Sequence, residues 1–240
     1  MPIQAVFFDL DEALLDDDSS MREALHNTCI SLTESYPEID PATLESTYLD
    51  ISNSAWTGFG DVPRASGSAE SDGREIRIEV WDRALNRYGI SSRDLAKKAA
   101  SIYSQERINT YRLFPDAVEL LPMLHKRIKL GIITNGPTDT QHEKIHVTGL
   151  DTYIDLIAVS GDLGFGKPDI RIFNWAAKVM GVSPKDALHV GDSFISDVEG
   201  SKQAGMYAAW INRHRKIQAT STCSPDFEIY SLLDLVPLLT

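Results

Sequence analysis

Two hydrophobic patterns share this chain. Residues 3–8 (Ile-Gln-Ala-Val-Phe-Phe) form a short apolar, β-rich run, the mark of a buried strand. An acidic stretch from Asp9 to Asp18 follows. From about 19 to 112, apolar residues recur every three or four positions, which predicts helices over 21–32, 43–56, 76–88 and 95–108. Residues 58–73, with their Gly, Ser and Pro, interrupt that series and read as a mobile loop.

After Pro115 the pattern becomes regular alternation. Helices are expected over 116–126, 139–147 (stopped near Gly149), 168–180 (Pro168 in its first turn) and 195–204. Strands are expected over 129–134, 154–160, 187–190 and 207–211, and 227–239 holds a final strand and helix. Strand–helix alternation implies a parallel sheet covered on both faces. The expected fold is therefore α/β: a doubly wound, Rossmann-like core formed by 1–17 and 114–240, interrupted after its first strand by an all-helical domain over 18–113.

Composition narrows the partners. The 240 residues carry 35 Asp+Glu against 23 Lys+Arg, a formal charge of −12. Nucleic acid is a poor partner for such a chain, because a phosphate backbone needs a basic stripe. No apolar run approaches the roughly 18 residues of a membrane span. The N-terminus lacks the basic lead and long apolar run of a signal peptide, and two cysteines, Cys29 and Cys223, do not make a disulfide framework. A cytoplasmic protein without nucleic-acid or membrane partners, monomeric or homodimeric, is the expectation.

In an open α/β sheet, ligands bind beyond the carboxyl ends of the strands. The first strand ends in Asp9-Leu10-Asp11, the next core strand in Thr134-Asn135-Gly136. The third is followed by Gly166-Lys167-Pro168, and the fourth ends in Gly191-Asp192-Ser193 with Asp197 beyond it. Each piece alone reads as a turn, a cap or a surface charge. In order at four strand ends, they gather carboxylates, a hydroxyl and an ammonium at one edge. Crowded carboxylates repel, and Mg²⁺, a hard cation that takes oxygen ligands and phosphates, would relieve that. A carboxylate can be a nucleophile toward phosphorus, and Lys167 and Thr134 suit phosphoryl oxygens. Asp11, two residues beyond Asp9, projects to the same side if the strand continues, placed for proton transfer.

These motifs resemble the haloacid dehalogenase-like (HAD) superfamily of hydrolases, and 18–113 resembles its helical C1-type cap. The resemblance implies that Asp9 is the nucleophile and a metal ligand. It makes Asp11 the general acid/base, with its backbone carbonyl offered to Mg²⁺. Thr134 and Asn135 would hold the phosphoryl group, and Lys167 would neutralise Asp9 and phosphate. Asp192 would bind the metal, and Asp197 would support it directly or through water and Lys167. The family's phosphatases carry the second Asp and its haloacid dehalogenases lack it, so a Mg²⁺-dependent phosphatase acting on a small phosphorylated metabolite through an aspartyl-phosphate is expected. Ala13 departs from the pattern, which usually has Thr there to organise the turn. A catalytically weak binding or regulatory protein is thus the alternative, ahead of a phosphomutase or dehalogenase. The cap would close over the site, and Trp56, Phe59, Arg64 and Trp81 could meet substrate there, although core packing is the better expectation for either Trp.

Three further patterns compete. His142-Glu143-Lys144-Ile145-His146 matches the zinc-protease HExxH, but the third ligand expected at 152 is Thr152, so an ordinary amphipathic helix is expected. Gly161 to Lys167 matches seven positions of a phosphate-binding P-loop, but Pro168 replaces the metal-binding hydroxyl. Asp16-Asp17-Asp18 invites a calcium reading, against which stands a solvated turn at a helix start.

Overall fold

The computed structural model describes residues 3–55, 73–217 and 223–239. The expected loop over 58–72, with Trp56, Phe59 and Arg64, lies outside them, whereas Gly73 already begins a helix. The described chain divides into two compact units, one comprising 3–16 and 113–239, the other 17–55 and 73–112.

The first unit holds a six-stranded, all-parallel sheet in the order β3-β2-β1-β4-β5-β6. The strands are β1 (Ala5–Phe8), β2 (Lys129–Thr134), β3 (Leu156–Val159), β4 (Ala187–Gly191), β5 (Tyr207–Ile211) and β6 (Phe227–Ile229). β1 is central and wholly buried, as a strand covered on both faces must be. Ala5 and Phe7 point into a cluster with Ile172, Phe173, Ala176 and Met180, while Val6 and Phe8 face the opposite layer. Gly131, beside Phe7 in the ladder, makes room for that ring: a Cβ there would come within 2.5 Å of Phe7 Cδ1.

The second unit is built from α1 (Asp17–Thr33), α2 (Pro41–Ala55), α3 (Gly73–Asn86) and α4 (Arg93–Thr110). Its core includes Trp81, fully buried against Tyr48 and Tyr103 at ring-centroid distances of 4.5 and 6.2 Å. Trp81 therefore packs the insert rather than lining a cleft.

The helices of the sheet unit are α5 (Pro115–Leu124), α6 (Thr138–Val147), α7 (Ser160–Leu163), α8 (Ile170–Met180), α9 (Gly200–Gln203) and α10 (Val236–Leu239). Among the boundaries that differ from expectation, two lie beside the strand-end motifs. Pro168 is not in the first turn of α8: the helix starts at Ile170, with the Asp169 side chain capping Arg171 N, and Pro168 follows a cis peptide bond in the preceding loop. The stretch expected as one helix over 195–204 begins as a π-helix, Phe194–Glu199, before α9.

Candidate active site

The regular strand stops at Phe8, so Asp9 and Asp11 do not share a continuing β face. Asp9 N still bonds Val190 O of β4 at 2.8 Å, and the chain then turns tightly, with Leu14 N and Leu15 N both donating to Leu10 O. Glu12 takes φ +59° in this turn. The Asp9 carboxylate accepts from Leu10 N at 2.7 Å, which fixes its orientation.

Lys167 Nζ sits between Asp9 Oδ1 at 2.8 Å and Asp197 Oδ1 at 2.6 Å. Asp197 meets two further donors: Oδ1 also accepts from His189 Nε2 at 2.8 Å, and Oδ2 from Ser193 N at 3.0 Å. Since buried His189 Nδ1 has no partner among the described residues, the imidazole carries its proton on Nε2. Burial works against charge on both Lys167 and Asp197. Their pairing prevails, holding the ammonium above the usual lysine range and, with His189, the Asp197 carboxyl below the usual carboxylate range.

The Asn135 side chain is engaged with Lys167. Its amide grips the Lys167 backbone from both sides, Nδ2 donating to Lys167 O and Oδ1 accepting from Lys167 N, each at 2.8 Å. Its side chain therefore fixes where Lys167 stands.

The residues at the other side of the site come from α6. Gln141 Nε2 donates to Thr134 Oγ1 at 2.6 Å and to Asp11 Oδ2 at 3.2 Å. Lys144 Nζ reaches both Asp11 oxygens, at 2.8 and 2.9 Å. Gly136, at φ +152°, leaves the space Gln141 fills: a Cβ there would lie 2.8 Å from the Gln141 side chain. Gln141 and Lys144 escaped the sequence reading because they lie within the HExxH match. Only Ile145 on that face is apolar, so apolar spacing gave little sign that Gln141 and Lys144 are buried.

Asp192 is the carboxylate left over. No hydrogen-bond donor among the described residues reaches its oxygens, and burial followed by the Asp197 charge pushes it up to about 7. Burial likewise raises Asp9, with Asp197 and Asp192 adding to the effect against Lys167. Ligand oxygens of Asp9, Asp192 and Asp197 lie within 4.8 Å of one another. An unneutralised carboxylate in such a group fits a hard divalent cation. Asp197, engaged by three protein donors, is the least suited of the three to bind it directly.

A sequence model of haloacid dehalogenase-like hydrolases matches residues 3–205. The chain belongs to that family, the HAD hydrolases. N-acylneuraminate-9-phosphatase of Mus musculus is 28% identical over 99% of this chain and 94% of its own. Pyrimidine 5'-nucleotidase YjjG of Escherichia coli K12 is 30% identical over 98% and 96%. The magnesium-bound HAD-hydrolase YfnB of Bacillus subtilis shares the fold with a TM-score of 0.77 over all of both chains, at 24% identity. A 2-haloacid dehalogenase of Pseudomonas syringae, 28% identical, gives 0.70 over 99% and 97%.

This HAD chain holds its Asp9–Asp11 turn from outside. Arg213 donates to Ala13 O at 2.8 Å, pairs with both Asp116 oxygens at 2.8 and 3.0 Å and stacks 3.8 Å over the Phe114 ring. The competing motifs dissolve within the HAD core. His142 and His146 pair separately with Asp162 and Asp151 and do not converge. Lys167 of the P-loop match points at carboxylates. In the acidic run, Asp17 pairs with Arg107 and Asp18 with Arg22.

Proposed function

We propose that this hydrolase is a Mg²⁺-dependent phosphomonoesterase acting on a small phosphorylated metabolite through an aspartyl-phosphate on Asp9. The carrying observation is the pair of acids: Asp9 held by Lys167, and a second carboxylate, Asp11, joined through Gln141 to the Thr134 hydroxyl. Relatives named as phosphatases and a nucleotidase support the reading. Mg²⁺ would be held by the Asp9 and Asp192 carboxylates and the Asp11 backbone carbonyl, where it supplies positive charge to offset the carboxylates and phosphoryl oxygens. Asp197 serves by holding Lys167.

The Asp9 carboxylate attacks phosphorus as the ester P–O bond breaks, and Asp11 gives its proton to the leaving oxygen. Water then attacks the phosphorus and passes its proton to Asp11. The bond to Asp9 breaks and phosphate leaves. Because Thr134 Oγ1 already accepts from Gln141, its hydroxyl proton is directed to a phosphoryl oxygen. The helical insert, 18–113, is assigned the cap's part of selecting the substrate.

The likeness to dehalogenases gives a second reading. A halide leaves without a proton, so dehalogenation has no work for Asp11, and we rank it lower. Phosphate release from p-nitrophenyl phosphate with MgCl₂ is expected, falling at least roughly 10³-fold in Asp9→Asn. Turnover that survives this change overturns the mechanism. Halide release with inert phosphate esters would establish the second reading.

A further inference from the structure

We propose that Lys144 is the positioning residue for Asp11: it fixes the carboxyl group against the leaving-group oxygen. The inference rests on the phosphatase reading above.

Lys144 is 5% exposed, although a lysine normally keeps its head in water. Ordering that side chain gives up rotamer freedom, so its place needs a compensating partner. That partner is Asp11, whose side chain is 32% exposed. Lys144 is thus a buried post and Asp11 the arm reaching from it toward solvent. Contact with both Asp11 oxygens, at 2.8 and 2.9 Å, sets the carboxyl plane in a way a single hydrogen bond would not. Gln141 adds the third restraint. Carboxylate and hydroxyl both accept from one amide nitrogen, so Asp11 is held at a set distance from the group that grips the phosphoryl oxygens. Lys144 and Gln141 are three residues apart on α6, so both restraints stand on one rigid element.

As the ester P–O bond breaks, the proton moves from the Asp11 carboxyl to the departing oxygen, and Lys144 and Gln141 keep that carboxyl in line with it. Such preorganised placement lowers a barrier without reorganisation during the step. Its value depends on the leaving group. A p-nitrophenolate departs without a proton, whereas a phenolate or alkoxide needs one.

The test measures first-turnover release of the alcohol, which reports P–O cleavage alone, for p-nitrophenyl phosphate, phenyl phosphate and the best alkyl phosphate from a metabolite panel. For Lys144→Met we expect a roughly 10²-fold loss on the phenyl and alkyl esters and less than about 5-fold on p-nitrophenyl phosphate. Lys144→Arg, able to span both oxygens, should restore most of the loss, and inhibition by inorganic phosphate should stay unchanged in both. Equal losses across the series, or none, overturn the proposal; so does weakened phosphate inhibition, which would make Lys144 a phosphate ligand. If Lys144→Met fails to fold, Lys144→Gln carries the same comparison. An active wild type with a flat series in the variants refutes Lys144 alone. A wild type inert on every ester in Mg²⁺ refutes the phosphatase reading and this proposal with it.

Discussion

Asp192 and Asp197 stand in the same cluster with opposite tendencies. Asp197 is surrounded by donors and kept ionised, whereas Asp192 is crowded by that negative charge without a donor among the described residues. An acid raised on folding is a stability cost at high pH. The cost is absent below its unfolded value near 4, grows between the two values and is complete above about 7. Asp192→Asn cannot ionise and should stabilise the metal-free protein by on the order of 2 kcal/mol at pH 8, with no gain at pH 4. Urea midpoints without Mg²⁺ at the two pH values check this, and a gain independent of pH would contradict it. Asp9 and Lys167 were legible as single residues because their types carry the chemistry. The neutral state of His189 was not, since it follows from burial and from one unpaired nitrogen.

At the scale of elements, the turn after β1 depends on segments far along the chain. Arg213, beyond β5, meets Ala13 O and Asp116 at the start of α5, and Asp116 in turn accepts from Ser231 Oγ and Leu232 N beyond β6. Where the family usually has a threonine hydroxyl, this chain has a guanidinium on the backbone carbonyl. Arg213→Ala leaves the half-buried Asp116 without its cation and should cost about 2 kcal/mol in urea unfolding. It should also lower kcat more than KM, because the Asp9–Asp11 turn is loosened. Unchanged kcat would show that the turn holds itself. The periodicity found nearly every element, since burial alternates with period 2 in strands and 3.6 in helices. It missed the π-helix at Phe194–Glu199, because widening a helical turn leaves no mark in apolar spacing.

For the whole molecule, the helical insert has its own core and its own closed ends. Asp17 at its beginning pairs with Arg107, Ser20 with Thr110 and Glu23 with Arg112, so the two chain crossings are tied together. An excised 17–112 should therefore fold alone, with helical circular dichroism and a cooperative thermal transition. A non-cooperative melt would show that the insert needs the sheet unit.

The amino-acid sequence by itself determined the parallel α/β core, the place of the helical insert and the strand-end motifs, because apolar period and residue type are local properties. Tertiary structure decided how those motifs are wired. Lys144 meets Asp11 across 133 positions and Arg213 meets Ala13 across 200. Asn135 grips the Lys167 backbone, and Asp192 alone of its cluster keeps a carboxylate without a donor among the described residues. Hydrogen-bond partners and desolvation depend on what packs alongside a group. Packing between distant segments leaves no periodic trace in the chain.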